Sequence, residues 1–84
     1  MPDDLTSKIV AWATDIARYA ASLPSREQRE SYLAERHQEL LAGTVAEGAS
    51  ERDATMLADT CLSAARRIMT ELLAQRAGVP QGRA

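Results

Sequence analysis

Phenylalanine is absent from this sequence, and tryptophan and cysteine each occur once. A core without phenylalanine has to be built from aliphatic side chains, and abundant alanine favours helices that pack closely. A lone cysteine excludes an internal disulfide, the usage expected of a reduced, cytoplasmic protein. A large excess of either charge is also missing. The net charge of −2 and pI of about 5.3 argue against general binding to nucleic acid or an anionic membrane, both of which need excess basic charge. No apolar run is long enough to cross a bilayer. The opening Met1-Pro2-Asp3-Asp4 is acidic and leads into no apolar segment, so no signal peptide is expected. No stretch alternates β-branched and polar residues, so no strands are expected. No catalytic, metal or nucleotide motif stands out, which leads to the expectation of a non-enzyme with no cofactor and no metal.

What is present is helical pattern. The hydrophobic fraction of 45% and charged fraction of 26% are those of a globular chain. At 84 residues the expectation is one helical domain, 1–84, whose thin core makes self-association a natural outcome.

The stretch from Ser50 to Ala77 organises the rest. Ser50 supplies a side-chain oxygen for the orphan amides of a first helical turn, with Asp53 three residues on in capping-box spacing. Glu51 and Asp53 place negative charge at the positive end of the helix dipole. Gly78 and Pro80 mark the stop. Between these signals Ala54, Leu57, Ala58, Cys61, Leu62, Ala64, Ala65, Ile68, Met69, Leu72 and Leu73 share one half of the helix, an amphipathic face.

Two shorter helices precede it. In the first, Leu5, Ile9, Trp12, Ile16, Tyr19 and Leu23 recur at steps of four and three, a heptad-like seam widened by Ala13, Ala17 and Ala20, with Trp12 its largest anchor, that predicts near-parallel packing at a shallow angle. Leu23-Pro24-Ser25 makes the turn, and Ser25 with Gln28 has capping-box spacing. The second helix has a thinner stripe of Leu33, Leu40, Leu41 and Val45, with Gly43 in its interior beside Ala42 and Ala46. Either a close helix contact or an exposed position would tolerate that glycine. Gly48-Ala49 makes the second turn. The predicted architecture is an all-α, antiparallel up-down-up three-helix bundle with a long third helix: helices at 4–22, 26–47 and 51–77 and a tail at 78–84.

Short turns fix which residues share a level. The spacing sets Leu33 against Ala65, His37 against Cys61, and Leu40 and Leu41 against Leu57 and Ala58, so Trp12, His37 and Cys61 form an expected central layer. That layer is a candidate pH-sensitive core, although the favoured reading of His37 is a neutral histidine hydrogen-bonded within the core or half-exposed at its edge. A reactive Cys61–His37 dyad is disfavoured, since apolar burial raises a thiol pKa, and a zinc site lacks ligands. The third helix outruns the second, which makes Leu62, Met69, Leu73, Ala77 and Val79 candidate interface residues, unless Tyr19, Leu23 and the tail cover that surface, a reading of equal weight. Charge sorts by end. Arg18, Arg66, Arg67 and Arg76 gather near the first turn, a surface suited to an acidic partner or to complementing helix dipoles.

The function class these features favour is a non-enzymatic interaction module, possessing no catalytic role and acting by self-association as a homodimer or by docking on another protein. The alternative is a DNA-binding regulator. Ala46-Glu47-Gly48-Ala49-Ser50 resembles a helix-turn-helix turn, with glycine between the helices and serine opening the second. The reading face it would present, Glu51, Arg52, Asp53, Met56 and Asp59, is rich in acids that phosphate repels, which makes nucleic acid an unfavoured partner.

Overall fold

The computed structural model describes residues 4–77, Leu5 by its backbone alone. The chain forms α1 (Asp4–Ser22), α2 (Arg26–Ala46) and α3 (Glu51–Arg76), with no strand among the described residues. Each described boundary falls within one residue of the sequence-based one. The stop signals at Gly78 and Pro80, the tail and the interface candidate Val79 lie outside the described residues.

The helix starts follow from local chemistry. Ser25 and Gln28 make the reciprocal capping box: the Gln28 amide donates to Ser25 Oγ at 3.1 Å and the Ser25 amide to Gln28 Oε1 at 3.3 Å. Ser50 accepts from the Asp53 amide at 3.1 Å, but the shorter Asp53 side chain makes no return bond among the described residues. At the end of α2, Gly48 takes φ 112°, its amide donates to the Val45 carbonyl at 2.9 Å, and the Ala49 amide reaches back to Thr44 at 3.2 Å. That is a Schellman cap, which a glycine makes cheaply because φ is positive.

Gly43 is the opposite case. A Cβ there would meet nothing within 4 Å, so no close helix contact requires it. We expect Gly43→Ala to stabilise the chain by about 0.5–1 kcal/mol, and Gly48→Ala to destabilise it by about 1–2 kcal/mol. Paired urea melts would show midpoints moving in opposite directions.

The contacts fix an up-down-up topology. Lys8 and Trp12 lie near Leu57 and Cys61, and Ala21 lies near Arg76, so α1 and α3 run the same way. Glu30 pairs with Arg66 and His37 with Asp59, so α2 runs against them. Both α1 and α2 pack chiefly on α3. The helices therefore form the all-α bundle that the turns predicted, around the long third helix.

The packing stripe on α1 lies on the alanine flank of the heptad-like seam, with Ile16 as the one larger seam residue that is buried. The buried residues are Ala13, Ile16, Ala17, Ala20 and Ala21, while Ile9 and Trp12 are half-buried and Tyr19 is 53% exposed. Small side chains let the backbones approach, so α1 turns its alanines to the bundle and leaves its larger groups at the edge. Tyr19 instead packs on Tyr32, ring centroids 4.6 Å apart, and the Arg36 guanidinium lies 4.9 Å from the Tyr32 ring centre. The body measures 48 × 35 × 17 Å.

The core is lopsided. Its main cluster joins Ala13, Ile16, Ala17, Ala20, Ala21, Leu33, Ala65 and Met69 toward the first turn. Toward the second turn the buried residues are Ala54, Ala58 and Cys61, all small and all on α3. Leu33 is the largest side chain buried almost completely, and α2 contributes no other buried residue.

Candidate functional site

The expected layer of Trp12, His37 and Cys61 is only partly assembled. Trp12 and Cys61 line one groove, but His37 has turned out of it. Its Nε2 lies 2.8 Å from Asp59 Oδ1 at the outer α2–α3 seam. The two antiparallel helices are displaced by about half a turn from the assumed level, enough to exchange Cys61 for Asp59 as the facing residue. His37 therefore sits hydrogen-bonded and partly exposed at the edge of the core. Cys61 is buried, and burial pushes its thiol pKa up, which opposes the thiolate form a reactive cysteine requires. Among the described residues no cluster of three or more His, Cys, Asp or Glu could hold a metal.

Of the four candidate arginines at the first-turn end, all exposed, Arg66 and Arg76 have partners inside the chain. Arg66 donates to Glu30 Oε2 across the α2–α3 seam. Arg76 Nη1 donates to the Ala21 carbonyl at 2.6 Å, and Arg29 Nη1 to the Leu23 carbonyl at 3.0 Å. The last turn of α1 carries no basic residue of its own, so arginines from α2 and α3 satisfy the carbonyls at its end. Arg18 and Arg67 stay exposed.

The Glu30–Arg66 pair has a pH consequence. The hydrogen bond from Arg66 holds the Glu30 carboxyl below its ordinary range; partial desolvation opposes this, and the charges of Arg66, Arg26 and Arg29 reinforce it. A carboxyl depressed in the folded state contributes stability above its unfolded pKa of about 4.3, and that contribution fades as pH falls through the lower folded value. Both side chains are about half exposed, so solvent screening keeps the effect below about 1 kcal/mol. We expect wild type to lose more stability than Glu30→Gln between pH 7 and about pH 3, by urea midpoints at each pH.

The interface candidates on α3 are drawn into the fold. Met69 is 5% exposed and belongs to the core, so it presents no free surface. Leu62 and Leu73 are half-buried against the same cluster. The anchoring of Arg76 to Ala21 shows why: the end of α1 lies beside the end of α3 and covers the face that α2 leaves. Ala77 is exposed just past the helix.

Uncovered apolar surface lies instead at the second-turn end. One groove of about 190 Å³ is lined by Lys8, Ile9 and Trp12 from α1, Leu40 from α2, and Leu57 and Cys61 from α3. On the other side of α2 a larger cleft of about 540 Å³ runs past Leu41, Ala42, Val45 and Ala46 to Thr55 and Glu51. The second half of α2 thus stands between two clefts, with Leu40 and Leu41 only half-buried. Sequence reasoning placed Leu40 and Leu41 level with Leu57 and Ala58 and did not address whether that layer was covered. The signal that it was open was the run of small residues facing it on α3: Ala54, Ala58 and Cys61.

The antiparallel contacts from Glu30–Arg66 to Leu40 beside Leu57 make α2 and α3 a side-by-side hairpin. A helix-turn-helix instead crosses its helices at about 90–120° so that the second one projects. No family model, no curated protein and no solved structure matches the chain.

Proposed function

We propose that this protein is a non-enzymatic helical interaction module that docks another protein at the second-turn end of its bundle. The observation that carries this reading is the uneven core: large apolar side chains are half-covered around one groove, while the buried layer beneath them is alanine and cysteine. Burying a leucine-sized side chain completely is worth about 1.5–3 kcal/mol, so Ile9, Trp12, Leu40 and Leu57 have stabilisation still to gain from a partner surface. In a chain this small that deficit has few internal remedies.

The test is paired affinity capture from cell extract with wild type and Leu40→Gln, after circular dichroism shows equal helicity. The expected result is a protein retained by wild type and lost with the variant. An identical capture profile for the two folded proteins would sink the docking reading at this groove.

A further inference from the structure

We infer that two copies of this chain associate through the outer α2–α3 face, antiparallel about a two-fold axis near Gln38. That face lies on the side of α2 away from the docking groove and leaves the groove open. Two clefts lie end to end along it and share Gln38. The one toward the second turn, of about 540 Å³, is lined by Leu41, Ala42 and Val45 with Glu51. The one toward the first turn, of about 290 Å³, is lined by Leu33, Ala34 and Leu62 with His37 and the Glu30–Arg66 pair. Glu51, Thr55, Leu62 and Arg66 fall within about 60° of one another around α3, so the clefts form one trough about 22 Å long. Ala34, Gln38, Ala42 and Val45 are exposed along it, and Leu41 and Leu62 are half-buried.

Charge decides the occupant and its direction. Glu51 lines the second-turn end, and its sequence neighbours Glu47 and Asp53 are exposed acids against one base, Arg52. Arg66 lines the first-turn end, and the charges of Arg26 and Arg29 also reach the Glu30 carboxyl there. That end keeps a positive excess even with the exposed Glu27 counted. A face that is acidic at one end and basic at the other complements itself when turned end for end, which a two-fold axis across the trough does.

The cross-helix pairs set the register. His37 stands opposite Asp59 and Glu30 opposite Arg66, so Gln38 is level with the midpoint between Glu51 and Arg66. In the antiparallel dimer Glu51 of each copy comes level with Arg66 of the other, and Glu47 with Arg29. Leu41 comes level with Ala34, so a larger apolar side chain meets a small one. Parallel docking would set acidic end on acidic end, which like-charge repulsion disfavours.

The test is molar mass against concentration at low salt, by light scattering coupled to gel filtration, for the full chain and two charge reversals. Wild type is expected to move from 9.1 kDa toward twice that mass as concentration rises. Glu51→Lys and Arg66→Glu, each shown by circular dichroism to keep its helicity, should each weaken self-association at least about tenfold, since two symmetric pairs turn repulsive. An equimolar mixture of the two variants should recover the dimer, because each reversed charge then meets its opposite. A second measurement does not depend on these charges. In a Cys61→Ala background, Gln38→Cys at the axis should oxidise to a linked dimer, whereas Ala11→Cys on the exposed face of α1 should stay monomeric.

A wild type that stays monomeric up to about 1 mM would overturn the proposal. So would a dimer that both charge reversals leave unchanged, or a mixture that associates no better than its parts. Self-association lost on Leu57→Gln but kept by Glu51→Lys would place the second copy in the other groove and likewise overturn it.

Discussion

Leu33→Ala is expected to destabilise the protein by about 2–5 kcal/mol, the range for removing a buried leucine and leaving a cavity. Leu33 is 2% exposed and is the one residue of α2 buried in the core. The rest of that helix is held by half-covered leucines and by the surface pairs Glu30–Arg66 and His37–Asp59, whose individual worth is at most about 1 kcal/mol. Removing Leu33 therefore loosens a whole helix. For a chain of this length each kcal/mol moves the melting temperature by about 4–8 °C, so the expected drop is at least about 8 °C. Thermal and urea melts followed by circular dichroism would check it. A loss below about 1 kcal/mol would show that α2 is held by something other than its core residue. Leu33→Met, which conserves volume, should cost less than about 1.5 kcal/mol.

Ala17→Leu is the second large effect, with the opposite physical cause. Ala17 is fully buried on α1, and Ala65 of the same cluster is fully buried on α3. The helices approach through such alanines, so added methylenes must push the backbones apart or force strained rotamers. We expect a loss of about 1–3 kcal/mol, with greater disorder of α1. Ala11→Leu, on the exposed face of the same helix, should change stability by less than about 0.5 kcal/mol. Urea midpoints for the two variants separate overpacking from any general effect of a larger apolar residue. Equal, near-zero changes would mean that the α1 contact has room the packing does not show.

The contrast between these sites explains which expectations held. Helix limits were legible because their causes are local: Ser25 and Gln28 bond across three residues, Ser50 holds the Asp53 amide, and Gly48 alone tolerates its φ. Topology was legible because two short turns leave antiparallel neighbours as the ready solution. On α1 the alanines that flank the seam, rather than its largest members, carry the burial, because hydrophobicity ranks tryptophan and tyrosine above alanine whereas close approach ranks them the other way. Tyr19 ended at the edge and Ala17 at the centre for that reason.

The candidate surface moved with it. Whether Met69 and Leu73 were covered stayed open in the sequence, whereas Arg76 reaching the Ala21 carbonyl ties the end of α3 to α1, a contact 55 residues apart in the chain. No periodicity within one helix records such a bond. His37 likewise changed role through a shift of about half a turn between two helices, which exchanged a buried thiol for an exposed carboxylate.

The sequence by itself determined three helices, their ends, their order and the amphipathic face of α3, because capping, turn geometry and the helical period act over a few residues. The tertiary structure alone decided which face of α1 is buried, which arginines are engaged, and that the apolar groove opens at the second turn. Those depend on the rotation and crossing of helices, set by the summed fit of many side chains at once.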